Sequence, residues 1–178
     1  VLSITQDDAH VFCRESQLEE EITSVWKIIE DFYSAFGFTL IPRFSRRDPE
    51  TPEKYMGGEE GWNKAEGAIK TLLEKKSRDT WVDGVGEAAF YGPKVDFMAK
   101  DSIGRTWQVA TIQLDFVQPA NFGLEFVNEE GKREQPVMIH CAIMGSIERF
   151  MSTLIEHVAG NFPLWLSPTQ ISIIPIRD

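Results

Sequence analysis

The segment Thr5-Gln6-Asp7-Asp8-Ala9-His10 brings an amide, two carboxylates and an imidazole together in a short run. On an extended chain, residues two apart face the same way, so Gln6, Asp8 and His10 share one side. A carboxylate able to hold an amine, beside an imidazole able to hold a metal, suits an amino acid substrate. The plainer alternative is a polar turn in which Asp7 or Asp8 bonds the backbone and His10 is exposed.

A second constellation runs from Trp107 to Phe116. Strict alternation puts Trp107, Val109, Thr111, Gln113 and Asp115 on one face and Gln108, Ala110, Ile112, Leu114 and Phe116 on the other. Thr111 and Gln113 lie between apolar neighbours, where burial without hydrogen-bond partners is costly. Either a ligand or solvent over an open face can satisfy them. The third constellation is Ile139-His140-Cys141 leading to Gly145-Ser146-Ile147-Glu148-Arg149-Phe150. There a strand meets a helix whose free N–H groups favour an anion, and Arg149 offers a planar fork for a phosphate or a purine face. Alternatively Ser146 caps the helix and Arg149 pairs with Glu148 or Glu156. A zinc site on His10 and His140 needs a third protein ligand and an open position. Cys141 points away from His140 on a regular strand, so Cys13 and Cys141 are read as packed thiols. His157, near a helix C-terminus, is read as a surface or dipole-complementing residue.

These residues need a scaffold. Val1 to Gln6 and His10 to Cys13 read as extended. Ser16 with Glu19 reads as a capping box before a helix carrying Leu18, Ile22, Trp26, Ile29 and Phe32, up to Gly37. Phe38 to Phe44 reads as a strand, 46–58 as a surface loop, and Glu59 to Lys76 as a helix burying Trp62, Ala65, Ile69 and Leu72. Strands follow at Trp81 to Val85, Lys94 to Lys100 and Arg105 to Phe116, the last two joined by a hairpin at 101–104. Val137 to Cys141 is a strand, Ser146 to Val158 a helix ended by Gly160, and Ile171 to Ile176 a final strand opening toward a further domain. Without βαβ spacing or a glycine-rich phosphate loop, the expected class is α+β, with a central antiparallel sheet flanked by helices.

Composition narrows the function. The 178 residues carry a formal net charge of −10, which opposes nonspecific binding to a phosphate backbone. The 42% apolar and 26% charged fractions are those of a globular domain. No apolar run reaches the roughly 20 residues that span a bilayer, and two cysteines are too few for a disulfide framework, which points to a reducing cytoplasmic setting.

Taken in order, TQDDAHVFC at 5–13, AAFYGPKVDF at 88–97, WQVATIQLDF at 107–116 and PVMIHCAIMGSIERF at 136–150 resemble the threonyl-tRNA synthetase family. The resemblance covers essentially the whole chain. It implies the later part of a class II catalytic domain over residues 1–168, with PLWLSPTQ leading through 169–178 toward an anticodon-binding domain. The implied reaction is activation of threonine with ATP to threonyl-adenylate and transfer to tRNA(Thr), in a homodimeric cytoplasmic enzyme. Matching residue by residue, His10 and His140 become ligands of one Zn2+ whose cysteine ligand lies upstream of Val1. Gln6, Asp8, Tyr91 and Gln113 hold threonine. Gln108, Thr111 and Arg149 approach ATP with its Mg2+, Arg149 as the catalytic arginine of motif 3. Motif 1 and the early strand of motif 2 lie outside the chain, so the isolated fragment is expected to be inactive. Two departures stand out: Cys141 replaces a usual arginine, and Val109-Ala110 a usual Cys-Gly pair. Competing expectations are a noncatalytic synthetase-like binding module and a class II synthetase for another amino acid, such as serine or proline.

Overall fold

The structure is a computed structural model, described over residues 2–78 and 80–177. Its centre is a six-stranded sheet made of β1 (Ala9–Cys13), β2 (Leu40–Arg46), β3 (Val82–Val85), β4 (Lys94–Lys100), β5 (Thr106–Asp115) and β8 (Val137–Ala142). The spatial order is β1-β8-β5-β4-β2-β3. A small separate ribbon pairs β6 (Phe126–Val127) with β7 (Arg133–Glu134). Among the described residues the strands are accompanied by the α-helices α1 (Leu18–Ala35), α2 (Glu59–Ser77), the short α3 (Gln118–Asn121) and α4 (Ile147–His157).

One face of the sheet is apolar. Val95, Phe97 and Ala99 of β4, Ala110, Ile112 and Leu114 of β5, and Val137, Ile139 and Cys141 of β8 are buried together in one core. Helix α1 closes over them because Leu18, Ile22, Val25, Trp26, Ile29 and Tyr33 recur at helical spacing and are all buried. Trp26 meets the Phe97 ring edge-on at 4.7 Å between centroids, and each such fully buried side chain contributes roughly 1.5–3 kcal/mol. Helix α2 adds Ala65, Ile69, Leu72 and Leu73, and α4 adds Phe150 and Leu154. The opposite face carries the alternate residues, among them Lys94, Asp96, Thr111, Gln113, Asp115, His10 and His140, together with the apolar Met98 and Met138.

Several sequence expectations change. Most pairings are antiparallel, but β2 and β3 run parallel. A parallel pair needs a crossover, and α2 supplies it; the long 46–58 loop conceals this βαβ unit from a reading by spacing. The first strand begins at Ala9, and upstream of it only Gln6 is bridged, to Ser146. The helix entry is closed by Arg14 N–H donating to Gln17 Oε1 ahead of a 3₁₀ turn at Glu15–Gln17, rather than by Ser16 and Glu19. Residues 171–176 form no strand, and their isoleucines are exposed; among the described residues they have no neighbouring strand to receive their N–H and C=O groups. Val1 of the first extended segment lies outside the described residues. Among the described residues, no helix is long and apolar enough to cross a membrane.

Candidate functional site

Register on the polar face assembles the histidines. His10 of β1 stands opposite His140 of β8, and His140 stands opposite Gln113 of β5. The two imidazoles meet edge to face with centroids 4.7 Å apart. Asp115, on the same side of β5 as Gln113, is wholly buried and places Oδ2 2.8 Å from His140 Nε2. Its other oxygen accepts from the N–H groups of Val117 and Gln118, so one carboxylate fixes both the histidine and the turn into α3. Tyr91 packs 5.1 Å from the His140 ring and donates its hydroxyl to Gln113 Oε1 at 3.2 Å. Gln113 Nε2 in turn donates to Gly92 O. Gly92 is required there, because a Cβ would lie 1.8 Å from Leu114 O. Burial, and then the charges of Asp115 and Asp8, push the Tyr91 phenol up, so it remains a donor at neutral pH.

The adjacent aspartates divide the two roles open to them. Asp7 turns inward, and its carboxylate accepts from the N–H groups of Ile143, Met144 and Gly145 at 2.6–3.0 Å. Asp8 stays exposed, with Oδ1 3.9 Å from His10 Nε2. Thus Asp7 ties the β1 entry to the β8–α4 turn, leaving Asp8 and His10 free for a ligand. Ser146 caps α4, accepting from Arg149 N–H, as the sequence suggested. Arg149 pairs with neither Glu148 nor Glu156. Glu156 binds Arg105, and Glu148 accepts from Ser146 and the Thr5 N–H. The Arg149 guanidinium instead lies over the Gly145 turn, Nη2 3.3 Å from where a Cβ would sit, and among the described residues it has no hydrogen-bond partner.

The remaining predicted residues gather on a second buried carboxylate. Asp96 of β4 is fully buried and receives five donors. Arg43 Nη2 (2.9 Å), Ser45 Oγ (2.6 Å) and Lys94 Nζ (2.8 Å) reach Oδ2; Gln108 Nε2 (2.8 Å) and Thr111 Oγ1 (3.0 Å) reach Oδ1. Gln108 shares this face with Thr111, against strict alternation. Ala110 pairs with Phe97 and Gln108 with Met98, so Val109 is an extra residue in the ladder. Such a bulge restarts the alternation. Tyr33 clamps it, its hydroxyl lying 2.9 Å from Val109 O and 2.8 Å from Ile143 O. Burial and the nearby Asp7 charge raise the Tyr33 pKa, keeping that proton in place. Neither Asp96 nor its cations Arg43 and Lys94 stood out in sequence. The signal available was Lys94 and Asp96 two apart in an otherwise apolar strand.

Cys13 and Cys141 are buried thiols on the helix-covered side, and burial raises both pKa values. Cys141 Sγ contacts Ala9 O, away from His140. His157 is drawn inward from the expected surface role, stacked 4.0 Å from the Phe38 ring and 3.1 Å from Phe36 O. As a metal centre, the histidine pair is partial. One His140 nitrogen is occupied by Asp115, which leaves the other for a metal, and two imidazoles on one tetrahedral zinc sit about 5 Å apart between centroids. The pair fits two ligands of such a site. No cluster of three or more His, Cys, Asp or Glu ligands occurs among the described residues.

Residues 1–158 match the family model described as the tRNA synthetase class II core domain (G, H, P, S and T). The chain belongs to that family. Over its whole length this synthetase core is 52% identical to a threonine–tRNA ligase of Rubrobacter xylanophilus and 50% identical to one of Cytophaga hutchinsonii. It spans 28% of the length of each. Among solved structures, the domain described as the RNA binding domain of threonyl-tRNA synthetase from Cryptosporidium parvum Iowa II superposes with a TM-score of 0.85 at 41% identity. That match covers 93% of this chain and 40% of the other. The synthetase core thus has the class II-like architecture expected from its sequence, with one parallel strand pair in an otherwise antiparallel sheet.

Proposed function

We propose that the chain is the part of a threonine:tRNA ligase that holds threonine and ATP while the adenylate forms. The observation that carries this reading is the cross-strand pair of His10 and His140, backed by buried Asp115 and flanked by exposed Asp8. Asp8 and Gln6 take the threonine amine, and Tyr91 with Gln113 bounds the side-chain pocket. Gln108, Thr111 and Arg149 face ATP and its Mg2+. A carboxylate oxygen of threonine attacks the α-phosphorus while the bond to the departing pyrophosphate breaks, a displacement that depends on positioning and charge stabilisation. Arg149, whose guanidinium has no protein partner among the described residues, is the group available to neutralise phosphate charge. His10 and His140 would hold a Zn2+ ion together with a cysteine from elsewhere in the parent. Bound there, zinc supplies two coordination positions for the amine and hydroxyl of threonine, a pair valine lacks. The parent is read as a cytoplasmic homodimer that contacts tRNA(Thr) mainly through other regions, in keeping with the −10 charge of this one.

The test is threonine-dependent ATP–pyrophosphate exchange by the full-length protein, with zinc measured by elemental analysis. We expect one zinc per catalytic site, and loss of both zinc and exchange in His10→Ala and His140→Ala. The isolated chain is expected to exchange far more slowly than the parent. A zinc-free active parent, or unaffected histidine variants, overturns the assignment.

A further inference from the structure

Asp96 differs from every other carboxylate on the polar face. Its two oxygens are saturated by five donors from four strand positions and one bulge neighbour, two of them cationic, and it touches no solvent. A carboxylate accepts only. Each group that meets it must therefore present a proton, which fixes the sense of the hydrogen-bonding capacity left on the half-buried Gln108, Thr111 and Lys94. Gln108 gives its amide nitrogen to Asp96, which leaves its carbonyl oxygen as an acceptor. Thr111 makes its shorter contact with its hydroxyl on Asp96, the alternative being Val95 O at 3.3 Å, and keeps its lone pairs free. Lys94 uses one of its three N–H bonds on Asp96 and retains the others.

We propose that Asp96 is a positioning residue that sets the hydrogen-bond polarity of the nucleotide half of the site, a role that rests on the functional reading above. Through it, Gln108 and Thr111 present acceptors to ligand N–H or O–H groups, and Lys94 is held between that half and the threonine half. The link is geometric. Lys94 stands directly opposite Gln113 in the β4–β5 ladder, and Asp96 opposite Thr111. Replacing the carboxylate by an amide of equal shape puts two donors on one of the atoms that these five donors share. Gln108 or Thr111 must then turn over, or lose its partner. The threonine half is anchored separately, by Asp115 on His140 and by Gly92 O on Gln113, and neither contact involves Asp96.

Asp96→Asn and Asp96→Glu in the full-length protein test this, with steady-state pyrophosphate exchange at varied ATP and varied threonine, and thermal melting as the control for folding. The expected result for Asp96→Asn is a KM for ATP raised about 10-fold or more, with the KM for threonine within about 2-fold of the parent value; a tenfold change corresponds to about 1.4 kcal/mol. Asp96→Glu, which restores an acceptor-only group, is expected to recover most of that loss. Equal increases in both KM values, an unchanged KM for ATP, or failure of Asp96→Glu to recover it alongside an unaltered melting temperature overturns the positioning role. If Asp96→Asn does not fold, Gln108→Glu, which sets an acceptor against Asp96, is compared with Ser45→Ala, which leaves the carboxylate facing Gln108 and Thr111: a KM for ATP raised about 10-fold in the first and within about 2-fold of the parent value in the second supports the role, and equal values in the two refute it. A wild-type parent with no threonine-dependent exchange refutes the functional reading itself, and is distinguished by being seen before any variant is made.

Discussion

Asp96 and Asp115 are both fully buried carboxylates on the same sheet face, on neighbouring strands, yet they are satisfied in different currencies. Asp115 meets one imidazole and two main-chain N–H groups. Asp96 meets side chains only, including a guanidinium and an ammonium. The first couples a candidate ligand to the backbone path of the next turn. The second couples strands through charge. A carboxylate bound to amides leaves neutral groups behind when removed, whereas one bound to cations leaves charges without a counterion, and buried unpaired charge is the more costly.

That contrast is open to direct attack. Asp96→Ala is expected to destabilise the chain by about 3–5 kcal/mol, and Asp115→Ala by about 2–3 kcal/mol, both read from urea unfolding followed by tryptophan fluorescence. Equal losses, or the reverse order, would show that side-chain cations and main-chain amides are interchangeable partners here. Next in size, Tyr33→Phe removes the hydroxyl shared by Val109 O and Ile143 O, at a cost of about 1–2 kcal/mol. Because this clamp lies beside the bulge and not on either carboxylate, its loss should add to that of Asp115→Ala; strong non-additivity would mean that the two regions are one unit. The smallest effect belongs to Asp101 at the β4–β5 hairpin. Burial alone would raise its pKa, but donation from the Trp107 indole and from Arg105 outweighs it, holding the carboxyl at about 2. A folded pKa below the unfolded value of about 3.9 means that its contribution is complete above about pH 4 and fades as pH falls toward 2. Replacing it with Asn should flatten the acid limb of a stability–pH profile in that window and leave neutral pH behaviour nearly flat.

Much of the scaffold is visible in periodicity, because α1 and β5 each bury one face and solvate or functionalise the other. Thr111, Gln113 and Asp115 share a side as alternation requires. Gln108 joins them only because Val109 is an extra residue, and a bulge has no compositional mark. Asp7 and Asp8 are chemically equal in sequence; which one turns inward is decided by three amides 136 to 138 positions away. Asp96 is hidden for the same reason. Its partners Arg43 and Ser45 lie on β2, and the antiparallel pairing of β2 with β4 brings them to Asp96 across 53 and 51 positions of chain. The Asp115–His140 contact likewise needs the register of β5 against β8, which local pattern does not contain.

The bulge at Val109 has a bearing on how this chain tolerates change. Upstream of it, the β4–β5 hairpin is fastened by Asp101; downstream, β5 is locked against β8. An insertion or deletion of one residue near the hairpin tip that is taken up at the bulge leaves Thr111, Gln113 and Asp115 on their side, while it carries Gln108 off Asp96. The ladder therefore contains a breakpoint for inheritance as well as for geometry: variation in length can accumulate on one side of Val109 without being transmitted to the histidines.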